Sequence, residues 1–421
     1  MAENGTEKAA AALAIDAGRL RADLEAVNGI GRAEGRPGIN RVSFSDADMG
    51  GRRWLIGRLQ EAGLAARMDA VGNVFGRWEA GGGPAVWAGS HLDTVPDGGP
   101  LDGALGVVAA LEAVRSMKEA GLEPARPVEV VCTADEEGRF GGMLGSQAIC
   151  GEVGPDWVGR AVDERGVRLA DAMRAQGLDP AAPVGRDMGD VALFLELHVE
   201  QGPVLERSGQ QVGIAGAVSG VFNWAVRLTG EATHSGTTPM DLRRDAFRGL
   251  ADFGAAIGGI LARAGGPDTR MTVGRVELRP NFPHSIAGEA RFSIIGRDTD
   301  EGVMRALAAA SREALERAAA AHGLELAVEE RSWLPPTPLD PDVADRLERL
   351  ARASGMSARR MPSGAGHDAQ TYARHGPAGL IFVPSVGGVS HAPDEWTEWE
   401  DVERGATLLA RAIAASALAP G

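Results

Sequence analysis

Pro84-Ala-Val-Trp-Ala-Gly-Ser90 is followed by an alanine- and valine-rich run over residues 103–120, and then by Pro127-Val-Glu-Val-Val-Cys-Thr133. The outer two are short continuous apolar runs bounded by glycine and proline, the pattern of strands buried on both faces, whereas the middle run has helical length and composition. Strand, helix, strand in that order predicts a crossover unit and therefore a mostly parallel sheet. The pattern continues outward: residues 145–150 read as a further helix, Val191-Ala-Leu-Phe-Leu-Glu-Leu197 and Gly379-Leu-Ile-Phe-Val-Pro384 as further strands, and residues 399–418 as a closing helix.

Between these segments the chain changes character. Strand 222–230, helix 241–264, strands 272–278 and 289–297, helix 301–322 and strand 324–333 follow one another, which is the β-α-β-β-α-β split unit. This predicts a complete small α+β domain, residues 216–330, inserted into a discontinuous α/β domain made of residues 1–215 and 331–421. Pro335-Pro336-Thr337-Pro338 is then the hinge that returns the chain.

Composition narrows the function. A chain of 421 residues is long enough for two or three domains, each with its own core. Lys and Arg total 43 against 58 Asp and Glu, a net charge of −15, which argues against a nucleic-acid or anionic-membrane partner. Lys8 and Lys118 are the only lysines, and neither lies in a phosphate-loop or Schiff-base context. Cys132 and Cys150 make no disulfide framework. Glu3, Glu7 and Asp16 interrupt the short N-terminal alanine run, so it does not read as a secretory signal, and no apolar stretch approaches the roughly 18 residues of a membrane span. These features lead us to expect a soluble, cytoplasmic protein.

The predicted strand ends carry the chemistry. His91 and Asp93 follow the strand ending near Ser90, Asp135-Glu136-Glu137 follow the one ending near Thr133, and His198 and Glu200 close the one after Leu197. His391 lies in the loop after Pro384, and Asp102 opens a helix. Ligands of open parallel sheets bind beyond the carboxyl ends of the strands, so these side chains converge on one rim. Imidazoles and carboxylates in that number suit a pair of divalent cations, zinc, manganese, cobalt or nickel, with one carboxylate bridging. Of Glu136 and Glu137, one binds metal while the other moves protons. Asp93 is placed to accept the free N–H of His91 and fix its tautomer. Singly, each residue has an ordinary reading: a turn for His91 and Asp93, a helix N-cap for Asp102, solvated charges for Glu136 and Glu137, a core histidine for His198. Their conjunction at sheet ends favours metal.

The segments Gly89-Ser-His-Leu-Asp-Thr-Val-Pro96, Leu101-Asp-Gly103, Ala134-Asp-Glu-Glu-Gly138, Glu196-Leu-His-Val-Glu-Gln-Gly202, Met361-Pro-Ser-Gly-Ala-Gly-His-Asp368 and Ser390-His-Ala-Pro393 resemble the M20 metallopeptidase superfamily. The likeness is to its amidohydrolase branch, the N-carbamoyl-L-amino acid hydrolases, allantoate and ureidoglycolate amidohydrolases and β-ureidopropionases. It implies an α/β, mostly parallel-sheet dinuclear metallohydrolase domain with an inserted α+β dimerisation and lid domain. Position by position, it implies that His91, Asp102, Glu137, His198 and His391 bind two divalent ions, with Asp102 bridging and Glu136 as general acid and base. It further implies a homodimer in which His234, within Ala232-Thr-His-Ser-Gly-Thr-Thr-Pro239, reaches the neighbouring subunit's site. Gln201, Arg297 and the loop Ser363, Gly364, Ala365 and Gly366 match positions that hold the substrate's ureido and carboxylate groups.

The sequence departs from the branch at Pro280-Asn-Phe-Pro-His284, where His284 replaces the asparagine that usually contacts substrate. The reaction implied is hydrolysis of a ureido C–N bond in a small ureido acid, with release of ammonia. The same superfamily offers N-acyl amino acid deacylation or dipeptide cleavage as an alternative. A metal-free cysteine amidase is disfavoured because Cys132 lies inside a strand pattern, and a non-catalytic binding protein because Glu136 would have no purpose. His322 and His375 read as helix C-terminal caps, and His367 as either a substrate-loop or a structural residue.

Overall fold

The computed structural model describes residues 10–182 and 185–419. The chain forms two compact units, one of residues up to Gly216 together with Leu339 onward, the other Ala217–Pro338.

The larger sheet runs, in spatial order, β1 (Ala65–Met68), β2 (Val74–Trp78), β4 (Val128–Thr133), β3 (Ala85–His91), β5 (Val191–Val199), β13 (Ala378–Val383), β6 (Val212–Val218) and β11 (Thr337–Pro338), with β12 (Ala358–Ser363) also paired to β6. The four central strands β4, β3, β5 and β13 are mutually parallel. Antiparallel pairings of β1, β2 and β6 flank them, which the strand–helix alternation did not anticipate. Every residue of β3 and β4 is buried, so these strands lack the alternation of a one-sided sheet. Helix Ala104–Glu119 is buried along almost its whole length and packs against the closing helix Trp399–Leu418 through Val107, Leu111, Val114, Leu409 and Ile413. Its one buried acid, Glu112, is met by the Arg19 guanidinium at 2.6 and 2.8 Å.

Two arginines fill the space under the loop after β3. Arg41, fully buried, donates from Nε to the carbonyl of Leu92 (2.8 Å) and from Nη1 to that of Val27 (3.0 Å). Arg52, in helix Asp46–Glu61, reaches Asp48 (2.9 Å) and the carbonyls of Gly72 (2.9 Å) and Thr133 (3.0 Å), with Asp93 at 3.7 Å. Asp48 and Arg52 share the helix stripe of Leu55 and Leu59, so an ion pair sits where apolar packing would be the default.

The smaller unit is a four-stranded antiparallel sheet in the order β10 (Glu325–Leu334), β7 (Gly220–Thr229), β9 (Glu289–Asp298), β8 (Arg270–Arg279). Alternation along β7 and β9 turns Phe222, Trp224, Val226, Phe292 and Ile294 toward helices Ala246–Ala264 and Glu301–Ala321. The first helix begins at Ala246, five residues after the predicted start, because the Asp245 side chain caps it by accepting from Phe247 N–H at 3.0 Å. Thr337 and Pro338, expected in a bare hinge, form β11 and pair with Val218 and Ala217. Among the described residues no helix is long and apolar enough to cross a membrane.

Because both partners are buried, removing one strands the other. Arg52→Met is expected to lower unfolding stability by about 3–5 kcal/mol, measured by urea denaturation at pH 7. A change below about 1 kcal/mol would contradict the role given to this pair.

Candidate active site

The carboxyl ends of the parallel strands deliver the side chains. His91 ends β3, His198 is the penultimate residue of β5, Asp135-Glu136-Glu137 follow β4, and His391 lies in the loop after β13. Asp102 arrives from the turn before helix Ala104–Glu119. It does not cap that helix: Gly103 takes the cap position at φ 64°, and the carboxylate turns to the histidines instead.

The two oxygens of Asp102 face different ways. Oδ1 lies 3.0 Å from His198 Nε2 and 3.5 Å from His91 Nε2, whereas Oδ2 lies 3.3 Å from His391 Nε2, which is 3.4 Å from Glu137 Oε2. Among the described residues the structure brings together three groups able to hold an ion, of which His91/Asp102/His198 and Asp102/Glu137/His391 share one carboxylate, while the third, Glu196/His198/His367, lies behind them. Glu136 Oε2 lies 3.6 Å from His91 Nε2. His91 Nδ1 is 3.0 Å from the Asp93 carbonyl and His198 Nδ1 is 2.9 Å from the Val199 carbonyl, so in both rings Nε2 is the atom presented to the shared carboxylate.

The electrostatics fit a cation. Burial opposes charge on His91, but Glu136, Asp102 and Asp93 outweigh it and raise the imidazole pKa well above its usual value. Asp102, despite burial, is held well below the carboxylate range by His198, His391 and His91. The hydrogen bond to Asp102, with Glu137 nearby, lifts His391 to about 9. Burial raises Glu136 well above the usual value and, with Asp102 adjacent, takes Glu137 to about 7. Metal uptake at a donor set of this kind competes with protons, because the ligands must be deprotonated to bind. Glu137 Oε1 and Gln201 Oε1, buried and without a hydrogen-bond partner among the described residues, are further acceptors aimed at this region. Asp135, Gln201 and His391 all have left-handed backbone (φ 54°, 59° and 54°), a strain of about 1–3 kcal/mol each that clusters at functional sites.

Several expected contacts take a different form. The Asp93 carboxylate makes no hydrogen bond to His91: its Oδ1 lies 3.9 Å from Nδ1, which is 3.0 Å from the Asp93 main-chain carbonyl instead. The carboxylate accepts from Ser43 Oγ (2.9 Å) and Glu137 N–H (3.1 Å), tying the β3 and β4 loops together. Gln201 donates to Asp102 Oδ2 at 2.9 Å. Ser363 is buried; its hydroxyl accepts from Ala365 N–H (3.1 Å) and lies 2.9 Å from His367 Nε2, so it holds the loop Ser363, Gly364, Ala365 and Gly366 in shape. The His367 ring lies against those of His198 and Phe382. His322 Nε2 is 2.6 Å from Asp252, and His375 Nε2 is 2.8 Å from Glu152.

His234, His284 and Arg297 belong to the smaller unit. His234 and His284 are exposed and adjacent, joined by the bridge of His234 with Ser285 and by Ser235 N–H donating to the His284 carbonyl (3.0 Å). His234 Nδ1 accepts from Gly236 N–H at 3.0 Å, and Arg297 lies near the end of β9.

Sequence reasoning missed the acids behind the site. Glu196 accepts from Ser90 Oγ (2.6 Å) and Ala369 N–H (2.8 Å), and Asp368 accepts from Thr133 Oγ1. Glu395 binds the turn that carries Asp102. An acid inside the otherwise apolar β5 was a readable signal for Glu196; loop acids give none.

The family model of peptidase family M20/M25/M40 matches residues 87–415. An N-carbamoyl-L-amino-acid amidohydrolase of Paenarthrobacter aurescens is 36% identical over 389 residues, covering 91% of this chain and 94% of that protein. An allantoate amidohydrolase of Escherichia coli (strain K12) is 37% identical over 380 residues, covering 89% and 92%. The crystal structure of an amidase of the hydantoinase/carbamoylase family from Burkholderia multivorans superposes with a TM-score of 0.91 at 33% identity, covering 97% of this chain and all of that one.

A Cβ at Gly103 would stand 2.4 Å from the His91 ring on a backbone that side chains rarely adopt. Gly103→Ala is therefore expected to weaken zinc affinity by roughly 10–100-fold, read by competition with a chelating dye. Wild-type affinity would contradict the placement of His91.

Proposed function

The chain belongs to peptidase family M20/M25/M40, and from that premise we propose that it is a metal-dependent amidohydrolase that cleaves the ureido C–N bond of an N-carbamoyl-L-amino acid or related ureido acid. Allantoate, ureidoglycolate and N-carbamoyl-β-alanine belong to that class. The observation that carries the reading is the division of Asp102 between two donor groups with Glu136 beside them. His91, His198 and Asp102 would hold one divalent ion, and Asp102, Glu137 and His391 a second, zinc or manganese, cobalt or nickel. When bound, the ions lower the pKa of water and polarise the scissile carbonyl.

Glu136 takes a proton from the attacking water as oxygen adds to the ureido carbon, and returns it to the departing nitrogen as the C–N bond breaks. The carbamate left behind decomposes to carbon dioxide and the second nitrogen. Asp93 holds the Glu137 main chain, and Gln201 sits beside Asp102, where it can orient the substrate's ureido group. Arg297 is assigned to the substrate carboxylate, where its fork would make two charge-assisted hydrogen bonds. His284 and the loop Ser363, Gly364, Ala365 and Gly366 are assigned to the remaining substrate contacts, and His234 to the developing oxyanion of a partner subunit's site. The larger unit is thus the catalytic domain and the smaller one the dimerisation and lid domain of a cytoplasmic homodimer.

Ammonia release by manganese-loaded protein from allantoate, ureidoglycolate, N-carbamoyl-β-alanine and several N-carbamoyl-L-amino acids, with and without chelator, tests the reading. Chelator-sensitive release from at least one is expected. Silence across the panel with metal bound would overturn it. Glu136→Gln should keep its metal and lose about 10²–10⁴-fold in turnover, measured at substrate saturation. Elemental analysis should find that Asp102→Ala loses the metal of both donor groups, whereas His391→Ala loses only that of one.

A further inference from the structure

Glu395 is an acid that neither the ligand set nor the proton transfer uses. Its side chain is 1% exposed, and among the described residues no arginine, lysine or histidine lies within ion-pair distance. A buried, unpaired carboxylate is costly to keep, so its hydrogen bonds carry the reason for its presence. Oε1 accepts from the backbone N–H groups of Leu101 (3.1 Å) and Asp102 (3.0 Å), and Oε2 accepts from Ser390 Oγ (2.7 Å). One side chain therefore fastens the turn that carries Asp102 to the residue preceding His391. Ser390 Oγ also lies 3.4 Å from Asp102 Oδ2. The fit leaves no slack: a Cβ at Gly99 would stand 2.5 Å from the Glu395 side chain.

The two donor groups depend on this clamp unequally. His91 and His198 sit in buried sheet strands, their rings fixed by main-chain carbonyls. His391 has a half-exposed side chain on a loop with left-handed backbone, and the Glu395–Ser390 contact ties that loop to the turn of Asp102, beside the Gln201 amide that lies between Asp102 and His391. We propose that Glu395 is a positioning residue that holds the Asp102 turn and the His391 loop in register, and so sets the affinity of the Asp102/Glu137/His391 group while leaving the His91/Asp102/His198 group nearly independent of it. This rests on the ligand assignment proposed above.

The test is a titration of metal-free protein with Co²⁺ alone, following visible absorption and bound metal. Wild type is expected to bind in two steps. Glu395→Ala should weaken one step by roughly 10–100-fold, the range for losing a partner that orients a ligand, and leave the other within about threefold. Glu395→Gln, whose amide oxygen still accepts from both N–H groups, should recover most of the loss. Gly99→Ala, which crowds Glu395 without removing it, should show the same split and serves if Glu395→Ala does not fold. Two wild-type steps in Glu395→Ala and Gly99→Ala, or equal weakening of both steps, would overturn the positioning role while the ligand assignment stands. A wild-type protein that binds no cobalt would overturn both.

Discussion

One carboxylate with two oxygens facing opposite ways organises the larger unit. Asp102 can serve a second donor group beside the first only if its turn is held in register with the His391 loop, its oxygens are not spent on capping the helix that follows, and the imidazoles approach from both sides. Each condition has a local cause. Gly103 takes the cap position with a left-handed φ, Glu395 binds the amides of Leu101 and Asp102, and the Nδ1 atoms of His91 and His198 are occupied by main-chain carbonyls. Three imidazoles and three carboxylates lie within a few ångströms of one another here, and each shifts its neighbours' affinity for protons.

The fold supplies what such a carboxylate needs. Parallel pairing of β4, β3, β5 and β13 places the strand ends that carry the candidate donors on one rim, and burial on both faces keeps those strands from shifting register. Beneath the rim, Arg41 and Arg52 donate charge-assisted hydrogen bonds to the carbonyls of Leu92 and Gly72 in loops, of Val27 near a helix end and of Thr133 at the end of β4. The site is thus anchored on rigid strands and tightened by loops, which is why the loop-borne His391 is its most exposed ligand candidate.

Much of this was legible in the residues. The split β-α-β-β-α-β unit followed from alternation, since a period of two and a helical period are hard to confuse over ten-residue strands and helices of about twenty residues. The convergence of His91, His198, His391 and the acids 135–137 followed from their positions just past apolar runs and that of Asp102 from its place before a helix, whereas the choice of Glu137 over Glu136 came from the family resemblance. Side-chain direction was not legible: whether Asp93 meets His91 through its carboxylate or its main chain depends on a backbone turn that periodicity does not encode, and Asp102 before a glycine reads equally well as a cap. The antiparallel edge strands escaped because β1 and β2 are short, and β11 because it is two residues long and half proline. Glu395 escaped because a single acid in a loop has no pattern. Asp48 and Arg52 need not have been missed, since an acid and a base four residues apart on the stripe of Leu55 and Leu59 announce a buried pair.

The most direct test of the shared carboxylate is anomalous diffraction from crystals of zinc-loaded protein. Two peaks flanking Asp102 are expected, one among His91 and His198 and nearer Oδ1, the other between Glu137 and His391 and nearer Oδ2. A single peak, or a pair that leaves either Asp102 oxygen without an ion, would contradict the shared carboxylate.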